Sequence, residues 1–201
     1  MHALGVNPAD GALYAATHYG LWRLPLSGQG QMVRVTDDAR YQDTMGFTVA
    51  GPDRFLGSGH PDLRENLPAL LGLMESTDRG QTWHSLSLLG EVDFHAIEAK
   101  HGQVYGYDAT SVTFLVSPDG RTWQRRAQVP LADYTVAPTR ADLVLATGKA
   151  GLLRSTSQFP PAAGPTGARR IGLDRRWPVR ARSRRFGLGQ RRLRGQLAAA
   201  R

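Results

Sequence analysis

His2, His18, His60 and His95, together with Asp108 and Tyr134, are the side chains of this sequence whose types and placement could do chemistry. Imidazole is the commonest transition-metal ligand and titrates near neutral pH. No two of these histidines have the short spacing of a sequence metal motif, however, so no metal and no cofactor is assigned. Two readings stand side by side: a ligand-binding set on one face, or structural and surface histidines that hydrogen-bond backbone. With no cysteine in the chain, disulfide frameworks, zinc–thiolate sites and thiol nucleophiles are excluded.

The positive charge does not support a nucleic-acid reading of the whole chain. Residues 1–157 hold 13 Lys+Arg against 16 Asp+Glu, while residues 158–201 hold 12 Arg against Asp174 alone, so the formal +8 belongs to the C-terminal stretch. That stretch has no sustained alternation and no helical stripe with which to bury a face. It is expected to be disordered, or to be the product of a shifted reading frame, which GC-rich DNA renders as Arg, Ala, Gly and Pro. A functional basic arm is the third reading, and it ranks last because stacking aromatics are few. Nucleic acid is therefore not an expected partner. No apolar run reaches the ~18 residues of a membrane helix, and no signal peptide opens the chain; a cytoplasmic location is the default expectation.

An internal repeat organises residues 1–157. Ser76-Thr77-Asp78-Arg79-Gly80-Gln81-Thr82-Trp83 recurs 41 residues later as Ser117-Pro118-Asp119-Gly120-Arg121-Thr122-Trp123. A third copy starts at Ser155, 38 residues further on, but Ser157 takes the place of the Asp and the text is lost. Gly20-Leu21-Trp22-Arg23-Leu24 is a degenerate earlier copy. Each unit opens on a short apolar run, beginning at His2, Phe47, His95 and Tyr134. A turn rich in Asp, Gly or Pro, a second run and a third run then lead to the box. Short β-rich runs with a period near 40 residues describe four-stranded antiparallel units, and radial repetition of such units is a β-propeller. At ~40–45 residues per unit, the repeat makes three to four blades. The expected fold is thus all-β, an incomplete propeller over 1–157 with a basic tail over 158–201. An unclosed ring would leave open blade edges able to self-associate.

The box has a mechanical reading. Ser76, Asp78, Ser117 and Asp119 can accept from backbone N–H groups inside a tight turn, while Gly80 and Gly120 supply positive φ. Thr82 and Thr122 complete the turn, and Trp83 and Trp123 offer apolar faces at the blade edge. These residues are read as a structural staple, and no catalytic residue is nominated.

The boxes resemble the Asp-box (BNR) repeats of sialidases and their non-sialidase relatives, a bacterial propeller family. The wider text is similar through His2–Gly11, Ala16–Leu21, Gly57–Pro61, Gly90–His95 and Ala146–Leu152. This resemblance implies a propeller that is exported or lipid-anchored in the cell envelope in its full-length relatives. It also raises sialidase chemistry, which needs three arginines on the substrate carboxylate, a Tyr nucleophile with a Glu partner, and an Asp acid/base. Arg23 and Arg154 are position-equivalent beside the boxes, which reads as scaffold. Arg40, Arg54 and Arg64 form no pattern, and Tyr41 with Asp43 or Tyr107 with Asp108 stand out from turn residues in no way.

Three functions remain open at this point. The favoured one is a non-catalytic binding or assembly module with an unknown protein or carbohydrate ligand. The second is a sialidase-like glycoside hydrolase, inactive as this fragment. The third is nucleic-acid binding through the Arg-rich tail. A long segment, Gly59–Pro68, widens the second unit and is the best local candidate for ligand contact.

Overall fold

The structure is a computed structural model that describes residues 1–25, 30–35, 42–149 and 151–160. Arg40, Tyr41 and nearly all of the Arg-rich stretch lie outside the described residues. Four antiparallel sheets follow one another along the chain. Blade one holds β1 (Ala3–Val6), β2 (Leu13–Thr17), β3 (Gly20–Leu24) and β4 (Val33–Arg34). Blade two holds β5 (Asp43–Gly51), β6 (Arg54–His60), β7 (Leu73–Ser76) and β8 (His84–Ser87). Blade three holds β9 (Phe94–Lys100), β10 (Gln103–Asp108), β11 (Thr113–Ser117) and β12 (Gln124–Gln128). Blade four holds β13 (Asp133–Val136), β14 (Val144–Gly148) and β15 (Gly151–Ser155) among the described residues. Strands pair in chain order within each sheet, and the sheets are arranged as the blades of a four-bladed β-propeller.

Strand pairing fixes which residues are equivalent from blade to blade. Ser76 pairs with Phe55, Ser117 with Val104 and Ser155 with Val144, while Leu24 pairs with Leu13 in blade one. One strand further in, the partners are Val6, Val49, Ala99 and Val136. Leu4, Phe47, Ile97 and Tyr134 are therefore equivalent. The sequence alignment of Phe47 and Tyr134 with His2 and His95 is out by two residues. A strand has a side-chain period of two, so a two-residue slip leaves the apolar pattern unchanged and invisible in the text.

Three apolar clusters hold the blades together, each at a joint. Tyr14, Leu21, Phe47 and Phe55 fill the joint between blades one and two. Leu56, Leu73, Phe94, Ile97 and Leu115 fill the next. Tyr105, Phe114, Tyr134, Val136, Leu153 and Phe159 fill the third. There Phe114 meets Tyr134 at 4.9 Å and Phe159 at 5.2 Å between ring centroids, both edge-to-face. Full burial of one such side chain stabilises the fold by roughly 1.5–3 kcal/mol.

The boxes staple each blade to the one before it. Ser76 is fully buried, donates to Asp78 at 2.7 Å and accepts from the Gly80 amide at 2.8 Å. Ser117 repeats this with Asp119 at 3.0 Å and the Gly120 amide at 2.8 Å. Asp78 and Asp119 then accept from the amides of Thr82 and Thr122 at 2.9 and 2.7 Å. Gly80 has a φ of 86°, and a Cβ there would strike Leu21 of blade one, so both conformation and contact demand glycine. Trp83 packs on the cluster between blades one and two, and Trp123 on the cluster between blades two and three.

The third copy of the box persists after its text has decayed. Ser155 accepts from the amides of Ser157 and Phe159 at 3.4 and 2.8 Å, matching the Ser76 bonds to Asp78 and Gly80 at 3.4 and 2.8 Å. Gln158 and Phe159 both take positive φ, 53° and 49°, as Arg79 and Gly80 do at 66° and 86°. Phe159 is fully buried in the cluster between blades three and four.

Among the described residues, no further sheet covers either end of the row. Leu4 is 52% exposed, although its equivalents Phe47, Ile97 and Tyr134 are buried under the preceding blade, and Val6 on the same strand is 54% exposed. At the other end Leu152 is 51% exposed, although its equivalents Leu21, Leu73 and Phe114 are buried under the following blade. Among the described residues, no buried cluster joins blade four to blade one.

Candidate functional site

The innermost strands line a central channel. A cavity of about 780 Å³ is walled by residues from β1, β5 and β9 and by the opening residues of blade four, including Leu4, Phe47, Val49, Ile97 and Tyr134. One mouth of this channel is built where the first strand of each blade begins and the second strand ends. Asp43 pairs with His60 across β5–β6, and Phe94 pairs with Asp108 across β9–β10. In blade one the His2 amide donates to the Ala16 carbonyl, which places His2 and His18 at the same level.

Histidine–aspartate pairs bridge the blades at this mouth. His18 of blade one meets both carboxylate oxygens of Asp43 of blade two at 2.9 Å through Nδ1. One repeat on, His60 of blade two approaches Asp93 of blade three at 3.6 Å. His95 bonds the same Asp93 oxygen through Nε2 at 2.8 Å, while the other oxygen, Oδ1, is buried with no partner among the described residues. His2 stacks edge-on against His18 with 4.2 Å between ring centroids. Burial, reinforced by the neighbouring His18 and the N-terminal amine, lowers the pKa of His2 below the usual imidazole value.

The fold thus brings together His2, His18, His60 and His95, four of the six residues nominated from sequence. Asp108 lies close by but is already occupied: it accepts from the Asp93 amide before β9 at 3.2 Å and, in its own loop, from the Thr110 amide at 3.1 Å and the Ser111 hydroxyl. Tyr134 lies deeper, on the channel wall. Its ring is buried, burial drives its phenol pKa well above normal, and its hydroxyl reaches the Ala96 carbonyl at 3.5 Å. The ten box residues sit at the outer turns, away from the mouth, and serve the staple described above.

Asp43 and Asp93 are the members that sequence reasoning did not nominate. The available signal was an Asp at or just before the first strand of blades two, three and four, at Asp43, Asp93 and Asp133. The segment Gly59–Pro68 borders a second cavity of about 290 Å³, lined in part by Asp62, Glu65, Leu67 and Leu71.

Among the described residues, the arginines assemble no carboxylate clamp. Arg23 pairs with Asp10 at 3.3 Å, Arg54 with Glu75 at 2.6 Å and Arg64 with Asp62 at 2.7 Å, each within its own blade or loop. The Tyr41–Asp43 pair lies partly outside the described residues.

No family model matches the chain, and no curated protein does. Solved structures do. An ancestral GH74 enzyme is 12% identical with a TM-score of 0.55, covering 82% of this chain and 24% of its own. The GH74 xyloglucanase from Xanthomonas campestris is 16% identical with a TM-score of 0.52, covering 81% and 30%. YCF48 bound to D1 peptide is 17% identical with a TM-score of 0.52, covering 78% and 51%. The chain spans about half the length of YCF48 and less of the GH74 enzymes. At these identities the likeness is one of fold: the chain is similar to β-propellers that include both glycoside hydrolases and a peptide-bound protein.

Proposed function

We propose that this chain is a non-catalytic binding or assembly module that takes up a segment of a protein or carbohydrate partner in its central channel. The observation that carries this reading is the cavity of about 780 Å³, whose wall mixes the apolar Phe47, Val49 and Ile97 with the polar Thr48, Glu98 and Lys100 and which reaches His2 and His95 at the mouth. Ligand sites are concave clefts of this size range in which placed polar groups fix orientation. The rim carboxylates Asp43 and Asp93 are bonded to histidines, and Asp108 to the Asp93 amide and its own loop. The peptide-bound YCF48 is a precedent in the same fold. The boxes support a place among Asp-box propellers, with an envelope setting for the full-length relatives.

Peptide and glycan arrays probed with the whole chain test this reading. Binding that is lost in Thr48→Arg, which fills the cavity from β5, is the expected result. Retained binding in that variant overturns it. The second reading, a glycoside hydrolase, rests on the GH74 neighbours. Turnover of fluorogenic sialosides or xyloglucan fragments that disappears in Asp43→Asn or Asp93→Asn would establish it instead.

The open ends favour self-association as well. The exposed face of Leu4 and Val6 is equivalent to faces that other blades bury against a predecessor. The exposed Leu152 belongs to the face that other blades bury against a successor. The two faces correspond to surfaces that pack against each other between successive blades, so a second copy of this chain is a fitting partner for each.

A further inference from the structure

The two histidine clusters at the mouth differ in one respect. At Asp93, the second histidine of the cluster, His95, bonds the carboxylate directly at 2.8 Å. At Asp43, among the described residues, His18 alone does so, and it spans both oxygens at 2.9 Å. His2 instead turns its ring edge-on to His18, and its Nε2 is buried without a hydrogen-bond partner among the described residues. A latch between blades needs one histidine and one carboxylate oxygen. The first cluster holds a further imidazole nitrogen and a further oxygen beyond that need.

From this the geometry points to a divalent transition-metal site, of the Zn(II) class, formed by His2, His18 and Asp43. One ring nitrogen from each histidine and one carboxylate oxygen lie within 4.8 Å of one another. Around a tetrahedral zinc with bonds near 2.0–2.2 Å, donors stand about 3.4 Å apart, so the His18–Asp43 pair at 2.9 Å opens by about half an ångström while the widest spacing in the set closes by at most about 1.4 Å. His18, whose side chain is 56% exposed, is free to rotate by that amount. Two imidazoles and a carboxylate are a borderline donor set that suits zinc, nickel or cobalt over magnesium or calcium. Three protein ligands leave at least one coordination position for water. The metal would give the buried His2 nitrogen its missing partner. The assignment stands on these three residues and does not rest on the binding role proposed above.

Competing ligands are few. The chain has no cysteine, and all six histidines lie between His2 and His101, so the Arg-rich stretch offers no imidazole. Titration calorimetry of Zn(II) into the full 201-residue chain, free of any histidine tag, reads the site directly. The expected result is one equivalent bound, weakened roughly tenfold or more by His18→Gln and by His2→Gln, the scale on which even outer-shell losses act. His60→Gln should leave the affinity unchanged. No saturable binding, or binding that survives both His2→Gln and His18→Gln, overturns the assignment. Loss of binding in His60→Gln with retention in His18→Gln moves the metal to Asp93 and equally overturns it. Paramagnetic shifts on adding Co(II) to the wild-type chain provide a reading that no variant's folding can confuse. His2 and His18 ring signals should move while those of His84 stay, and unmoved His2 and His18 signals overturn the site.

Discussion

Trp123 donates its indole N–H to the hydroxyl of Ser87 at 2.9 Å, tying the box of blade three to the outermost strand of blade two. Ser87 passes the connection on to the Gly120 carbonyl at 2.7 Å. Trp123→Phe keeps a ring over Phe94, now 5.0 Å from the indole, but loses the donor, so a cost of about 1 kcal/mol is expected. Ser87→Ala removes both bonds and should cost about 1–2 kcal/mol. In denaturant unfolding the double variant should lose less than the sum of the two, because the residues share one bond. Strict additivity would show that the staple carries no coupling.

Acid should loosen the boxes. The Thr122 and Arg121 amides stabilise the ionised Asp119 and bring its pKa from 3.8 down to about 2. Burial alone would raise Asp78, yet its bonds from Thr82 and Ser76 outweigh this and lower it too. A depressed folded-state pKa means the unfolded chain takes up protons first. The stabilisation is complete above pH 3.8 and drains away as the pH falls towards about 2. Asp119→Asn should flatten the loss of stability with acid across that window. An unchanged slope would remove Asp119 from the account.

Phe159 closes the last joint. Phe159→Ala should cost about 3–5 kcal/mol, the range for large-to-small changes in a core. A chain ending after residue 160 should melt well above one ending after residue 157, although the two differ by three residues. Equal melting temperatures would mean that the joint between blades three and four holds without it.

The exposed ends should drive association. Sedimentation velocity is expected to show species larger than a monomer at micromolar concentrations. Leu4→Glu or Leu152→Glu, each placing a charge on one open face, should shift the distribution towards monomer. A wild-type chain that sediments as a monomer throughout that range contradicts the pairing of faces.

The propeller was legible because its signals are local. Asp-Gly turns, alternating runs and two intact boxes all fall within a few residues of one another, and each acts on its own hairpin. Four histidines of the mouth were legible as well, but their pairing with Asp43 and Asp93 was not, for the opposite reason. His18 and Asp43 are 25 residues apart and on different sheets, so their meeting depends on how blades pack and on no spacing in the text. The continuation of the third box was hidden differently. Its Ser157 and Phe159 break the motif, yet the turn needs only the Ser155 hydroxyl as acceptor and a backbone willing to take positive φ. Phe159 meets the strain of that conformation with the burial of a whole ring, which no pattern of residue types would reveal.

The mouth of the channel and the joints between blades share their parts. His18 belongs to one wedge and Asp43 to the next, so whatever competes for either side chain also pulls on the seam between wedges. A guest settling at the rim and a change in the angle of neighbouring wedges are therefore one mechanical event, and neither can be tuned while the other is held fixed.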